Sequence, residues 1–394
     1  MSQLSRRVQR VKPSATLAIS ATANRLRREG VDIISLSVGE PDFDTPAHIK
    51  AAAIAAIEAG KTKYTAVDGT AELKQAIRHK FQRDNGLDYA DDQVLASTGG
   101  KQCIYNLCQA WLNPGDEVII PAPYWVSYPD MVLLAEAEPV ILPAGQDQGF
   151  KITPEQLDQA ITAKTRMLFI NSPSNPTGVC YSEDELKALG EVLERHPQVL
   201  IATDDMYEHI LFPGHRFSNI AMACPGLMER TVVLNGVSKA YAMTGWRIGF
   251  CGGPAELIGA MKKVQSQSTS NPCSIAQAAA TEALNGDQRC IGQMLDAFRQ
   301  RHEYVQTTLD SMDGIACLPS DGTFYSFPNA EQVIARLDGI DNDLDLADYL
   351  LKKARVAVVP GSAFGLPGHF RVSYATSMEN LENALARIAD AIGG

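Results

Sequence analysis

Lys239 stands in the run Gly236-Val237-Ser238-Lys239-Ala240-Tyr241-Ala242-Met243-Thr244-Gly245-Trp246-Arg247-Ile248-Gly249, so that one amine follows a short apolar strand and one guanidinium comes eight residues later. A lysine amine condenses with aldehydes. Its pKa falls on partial desolvation or beside another cation, which leaves a neutral nucleophile that also carries protons. Arginine stays charged and grips phosphate through a fork of N–H donors. The pair asks for an aldehyde cofactor that also bears a phosphate. Taken alone, such a pair at a strand end is more often surface charge, so its meaning depends on the elements around it.

Those elements alternate. From Pro46 to about Gly286, apolar strands are separated by amphipathic helices, the pattern of an α/β domain with a mainly parallel sheet. The predicted strands are Val94–Ser97, Glu117–Ile120, Pro139–Leu142, Arg166–Asn171, Val199–Thr203, Thr231–Asn235 and Arg247–Cys251. Predicted helices include Pro46–Ala59, stopped by Gly60, and Thr70–Asn85, capped by Thr70 and stopped by Gly86. Thr98-Gly99-Gly100, Trp125, Asn175, Asp204 and Ser238-Lys239 all fall at or just beyond the carboxyl ends of predicted strands, where open α/β sheets bind ligands. Gly99-Gly100-Lys101 opens a helix, whose first backbone N–H groups suit a phosphate. It is not a P-loop, because Leu95 stands where that motif needs its first glycine and Gln102 where it needs a hydroxyl.

From about Asp287 the character changes. A long helix, Ile291–Met312, precedes the runs Gly322–Phe327 and Val356–Gly361 and a closing helix from about Met378, which together read as a smaller α+β domain. The division expected is a large domain over residues 46–286 and a small one from 1–45 plus 287–394.

Bulk composition excludes several classes. The 394 residues, 45% hydrophobic and 21% charged, form an ordinary globular chain, and a formal charge of -11 argues against a nucleic-acid partner. No apolar run approaches the roughly 20 residues that span a bilayer. The start, Met1-Ser2-Gln3-Leu4-Ser5-Arg6-Arg7, lacks the apolar stretch of a signal peptide, so a soluble cytoplasmic protein is expected. The eight cysteines include no C-x-x-C pair and read as buried free thiols; neither they nor the seven histidines show zinc spacing, and no metal is expected.

Six further segments accompany the lysine run: Ser35–Phe43 (SLSVGEPDF), Thr98–Gln102 (TGGKQ), Pro121–Trp125 (PAPYW), Asn171–Gly178 (NSPSNPTG), Asp204–Tyr207 (DDMY) and Arg371–Tyr374 (RVSY). In this order, and over nearly the whole chain, they resemble class I pyridoxal-phosphate aminotransferases, most closely the bacterial-type aspartate aminotransferases of the aspartate/prephenate branch. The resemblance implies fold type I, with pyridoxal 5'-phosphate held between a large and a small domain. It implies that Lys239 is the catalytic lysine, that Asp204 faces the pyridine nitrogen, and that Asn175 and Tyr207 bond its phenolic oxygen. Trp125 would stack on the ring, while Gly99, Gly100, Lys101, Ser238 and Arg247 would line the phosphate side. Arg371 and Gly39, with Trp125 and Asn175, would meet the substrate α-carboxylate. Tyr64 matches a tyrosine that reaches the neighbouring subunit's phosphate, which implies a homodimer. One departure is Gly236, where some members place a phosphate-binding serine.

Substrate choice needs its own residues, since fold does not specify it. Ser14, Thr16 and Lys101 match the groups that hold a distal carboxylate, which implies L-aspartate and 2-oxoglutarate exchanging an amino group by a ping-pong route. Lys12 resembles a lysine of members that accept prephenate, so prephenate or aromatic amino acids stay open, as does a C–S lyase of the same fold. A ligand-sensing regulator would need a DNA-binding appendage, for which the residues before Pro46 leave no room.

Overall fold

The computed structural model describes residues 4–393. Its central element is a seven-stranded sheet in the order Val94–Ser97, Gly249–Gly252, Thr231–Gly236, Leu200–Asp204, Thr165–Asn171, Glu117–Ala122, Glu138–Pro143. Gly249–Gly252 runs antiparallel to both neighbours and every other pairing is parallel. Six strands therefore end on one edge, the edge where Gly249–Gly252 begins. The strands Val94–Ser97, Leu200–Asp204 and Thr231–Gly236 are buried along their whole length, as a parallel sheet covered by helices on both faces requires. Alternation assigns the faces. Val94 and Ala96 pack with Leu73, Ile77 and Ala280, whereas Leu95 packs with Leu107, Ile258 and Met261.

Local chemistry sets most boundaries as expected. Thr70 caps the helix Ala71–Lys80 by accepting from the Leu73 N–H at 3.2 Å, a bond worth about 1 kcal/mol. The predicted continuation to Asn85 is corrected: the chain widens into a π-turn over Phe81–Asn85 and stops at Gly86, whose φ of 67° is left-handed. Beside that turn the Lys80 amine pairs with Glu208 and donates to Asn85 Oδ1 at 2.7 Å. A buried charge of this kind is tolerated only with partners at hand, and the widened turn presents Asn85 to both groups. The predicted strand Arg247–Cys251 is also corrected. Arg247 is left-handed (φ 56°, ψ 52°), and the strand starts at Gly249.

Beyond the sheet, Ile34–Ser35 pairs in parallel with Val356–Ala357, and Phe370–Ser373 lies between Val359–Pro360 and Tyr325–Ser326 in an antiparallel sheet. The helices Arg289–Asp310 and Met378–Ile392 close over them. One core joins Ile34, Leu36, Phe298, Phe324, Val372 and Leu385 to Tyr207, Ile210 and Phe212, which follow the strand Leu200–Asp204. This core carries Tyr325 and Arg371 to the edge where the parallel strands end. All eight cysteines are free; five are buried, Cys224 and Cys290 are half-buried, and Cys273 is exposed, contrary to the expectation that the thiols are buried. No helix among the described residues is long and apolar enough to cross a membrane.

Candidate active site

A cavity of about 280 Å³ opens at the carboxyl edge of the sheet, with Lys239, Asp204, Asn175 and Arg371 in its wall. Lys239 follows the strand Thr231–Gly236, and its amine donates to the Gly39 carbonyl at 2.6 Å. The residue keeps some contact with the cavity, but its amine is enclosed. Burial, reinforced by Arg371, lowers its pKa to about 8, against the pull of Glu40. A neutral amine is thereby within reach near physiological pH.

Asp204 ends its strand. Its Oδ2 accepts from the Tyr128 hydroxyl at 2.6 Å and its Oδ1 from the Met206 N–H at 3.3 Å. Burial pushes this carboxyl up, while those two bonds and Lys239 pull it back. Tyr128, stacked on Phe169 with ring centroids 4.6 Å apart, was not singled out in the sequence. Asp205 faces away, accepting from Thr203 Oγ1 at 2.7 Å and Asn219 Nδ2 at 2.6 Å. Burial, with Glu208 nearby, pushes it up to about 8.

Arg371 is 3% exposed. Its Nη1 donates to Asn175 Oδ1 at 2.8 Å and its Nη2 to the Ser37 carbonyl at 2.7 Å, while its Nε is buried without a partner. The guanidinium lies 4.4 Å from the Tyr325 ring centroid and 5.0 Å from that of Phe364. Because an arginine nitrogen only donates, the Asn175 atom facing it must be the carbonyl oxygen, which leaves the Asn175 amide nitrogen as a donor. The Tyr207 hydroxyl is 2.9 Å from that of Tyr325, a second cavity residue that sequence reasoning missed. Tyr325 also explains Gly39, where any side chain would collide with its hydroxyl.

Beside the cavity, Gly99, whose positive φ (85°, with ψ 159°) favours glycine, caps the helix Gly100–Trp111, whose first two residues line it. A Cβ on Gly99 would strike the Arg247 guanidinium, and one on Gly100 would lie 2.6 Å from the Met206 methyl. Bare backbone therefore faces the arginine. Arg247 is exposed, and its Nη1 donates to the Thr244 carbonyl at 2.8 Å. Its left-handed backbone costs roughly 1–3 kcal/mol, a strain found typically at sites where function dictates geometry. Ser238 is buried in the same wall. Gly236 has a steric reason: a Cβ there would sit 3.1 Å from both the Ile248 carbonyl oxygen and the Met206 methyl.

The mouth of the cavity is formed differently. Trp125 lies across it, with the Lys101 amine 5.0 Å from its ring centroid. Lys101 keeps solvent contact, yet desolvation of its amine, and then Arg247, lowers its pKa against the opposing charge of Asp130. Ser14 and Thr16 line the mouth beside Leu17. Ser14 also caps the helix Ala15–Arg28, accepting from the Leu17 N–H at 3.4 Å; as the acceptor there, it keeps its own proton free to donate. Three expected residues lie outside this cavity: Gly99, next to Gly100 in its wall, Lys12 and Tyr64. Lys12 is exposed on the arm, near Asp130, and Tyr64 is 92% exposed.

The residues suit a planar aldehyde bearing an anionic group: an enclosed amine, a buried carboxylate opposite, and glycines kept bare beside an arginine. The family model described as aminotransferase class I and II matches residues 31–388, and the chain belongs to this family. An aspartate/prephenate aminotransferase of Nitrosomonas europaea is 60% identical over 392 residues, covering 98% of this chain and 99% of that one. The crystal structure of the aspartate aminotransferase from Rhizobium meliloti superposes with a TM-score of 0.97 at 51% identity, covering 100% of this chain and 99% of that one. That of Thermus thermophilus with maleate does so with a TM-score of 0.93 at 44% identity, covering 99% and 100%. The fold is thus the fold type I of pyridoxal-phosphate transferases, and the protein is a transferase.

Proposed function

We propose that this chain is a pyridoxal-phosphate-dependent aminotransferase that moves the amino group of L-aspartate to 2-oxoglutarate. The observation that carries the reading is the pairing, in one cavity, of the enclosed Lys239 amine with the buried Arg371 guanidinium and its unpartnered Nε. Pyridoxal phosphate, when bound, supplies an electron sink for the α-carbon of an amino acid. Asp204 would keep a proton on the cofactor's ring nitrogen, by charge and hydrogen bond. The Asn175 amide and the Tyr207 hydroxyl would donate to the ring's phenolic oxygen. The start of the helix Gly100–Trp111, with Ser238 and Arg247, takes the phosphate. Trp125 covers one face and excludes water.

The substrate's α-carboxylate is read by Arg371 with the Gly39 backbone, Trp125 and Asn175, which places the α-hydrogen near Lys239. The Lys239 amine would take that proton from the α-carbon and release it again, and its pKa of about 8 suits both directions. Lys101, with Ser14 and Thr16, meets the distal carboxylate, since a carboxylate in a closed site needs a cation. A second substrate class has its own support. Leu17, Ile104 and Val126 also line the cavity, and an apolar wall beside a cation suits prephenate or an aromatic amino acid, with Lys12 as a further cation.

The division at residues 46–286 fits this placement of the site between a large and a small body. Tyr64, almost wholly exposed and away from its own cavity, is supplied to a second copy in a cytoplasmic homodimer. Ile54 and Ile57, more than half exposed on the helix Ala47–Glu58, belong to the same contact. The test is steady-state transamination with aspartate or phenylalanine as amino donor and with 2-oxoglutarate or prephenate, both oxo acids, as acceptor. Preference for aspartate as donor and 2-oxoglutarate as acceptor supports the first reading, and preference for phenylalanine as donor or prephenate as acceptor supports the second. Pyruvate and ammonia released without an oxo-acid acceptor would contradict both.

A further inference from the structure

Asn171 ends the strand Thr165–Asn171 and pairs in register with Asp204 on the adjacent strand. Its Nδ2 donates to the Asp204 carbonyl at 2.8 Å, and its Oδ1 accepts from the Asn175 N–H at 2.9 Å. The orientation of this side-chain amide is fixed, because a backbone carbonyl only accepts and a backbone N–H only donates. The chain of bonds continues from Asn175 Oδ1 to Arg371 Nη1 at 2.8 Å. One side chain thus ties the residue that carries the ring-nitrogen carboxylate to the pair that reads the substrate carboxylate. An aspartate would offer the acceptor alone and set a charge against the Asp204 carbonyl; alanine would offer neither bond.

From this connectivity we propose that Asn171 is a positioning residue, holding the Asp204 carboxylate and the Asn175–Arg371 pair at a fixed separation so that cofactor and substrate are gripped in one register. The inference rests on the function proposed above. Asn171 itself belongs to the cavity wall, but its two bonds go to backbone, so it acts through its neighbours.

The two bonds are separable by substitution. Asn171→Ala loses both, and in the loaded enzyme the dissociation constant for maleate, read from the visible difference spectrum, should rise about tenfold while kcat for aspartate also falls about tenfold. Asn171→Asp keeps the acceptor for the Asn175 N–H, so maleate affinity should stay within about threefold of the wild type while kcat still falls tenfold or more. A residue with a merely structural role would lower both quantities together in both variants, or neither, and either result overturns the proposal. Should Asn171→Ala fail to fold, Asn171→Asp decides alone, through the split between maleate affinity and kcat. A wild-type protein that binds neither pyridoxal phosphate nor maleate would sink the functional reading itself, which is a different failure.

Discussion

On the floor of the cavity each group that would touch the reacting atoms is buried and held by at least one bond. Asp204 is held by Tyr128 and Met206, Asn175 by Asn171, and Arg371 by Asn175 and Ser37. On the lip, Ser14 and Thr16 stand on an N-terminal helix, Lys101 keeps solvent contact, and Lys12 is exposed. The floor hangs from strand ends locked into a covered sheet. Ser14, Thr16 and Lys12 hang from an arm tied to the sheet edge by Arg10, which donates to Glu138 Oε1 at 2.7 Å with both side chains partly exposed, whereas Lys101 opens the helix Gly100–Trp111 behind a sheet strand. Exposed pairs of that kind contribute at most about 1 kcal/mol. The chemistry is built into strand ends of the covered sheet, while the choice of side chain rests partly on an arm that can change without disturbing them.

Substitutions should separate the two regions, the largest effects coming from the floor. Lys239→Ala should abolish transamination, measured by coupled assay, because the other amine in the cavity wall among the described residues, Lys101, is exposed; full activity would remove Lys239 from the mechanism. Asp204→Asn, replacing an ionised partner by a neutral one of the same shape, should cost about 3 kcal/mol of transition-state stabilisation, roughly a hundredfold in kcat/KM. Lys101→Ala should raise KM for aspartate about tenfold while barely changing that for phenylalanine; equal losses on both substrates would move Lys101 from the lip's work to the floor's.

The pH response belongs to the floor as well. With the Lys239 pKa lowered to about 8, its neutral form dominates above that value, so uptake of pyridoxal phosphate by the cofactor-free protein should quicken as pH rises through about 8 and then level off. A rate that climbs steadily towards the ordinary lysine range would show that burial does not act on this amine. The smallest effect is at the arm. Ser14→Ala should lose about 1 kcal/mol of helix capping, seen in thermal melting, with a modest rise in KM for aspartate alone.

The floor was largely legible in the sequence because Asp204 closes an apolar strand, Asn175 and Lys239 follow strand ends within a few residues, and Arg371 interrupts an apolar run, and an abrupt polar residue at such places has few reasons to be there. What stayed hidden depended on long-range partners. Tyr128 reads as an aromatic at a helix start beside Pro129, and nothing local shows that its hydroxyl meets Asp204. Tyr325 reads as one strand residue among Phe324, Ser326 and Phe327 until its hydroxyl is seen beside that of Tyr207. Asn171 was visible as turn chemistry, but its two opposed bonds were not. Arg247 was placed in a strand because apolar residues follow it. Its left-handed backbone comes from the short turn Thr244–Trp246, where Thr244 is held by Glu40 from a remote segment. The widened turn at Phe81–Asn85 escaped notice for the same reason, since Glu208, its charge partner, lies far along the chain.

The central claim is that Lys239, Asp204 and Arg371 form one site for amino-group transfer from aspartate. Its most direct test is the visible absorption of the protein loaded with pyridoxal phosphate, recorded before and after L-aspartate and again after 2-oxoglutarate. The loaded protein should be yellow, bleach with aspartate and recover its colour with the oxo acid. A protein that cannot be made yellow, or one that stays yellow with aspartate yet bleaches with another amino acid, would contradict it.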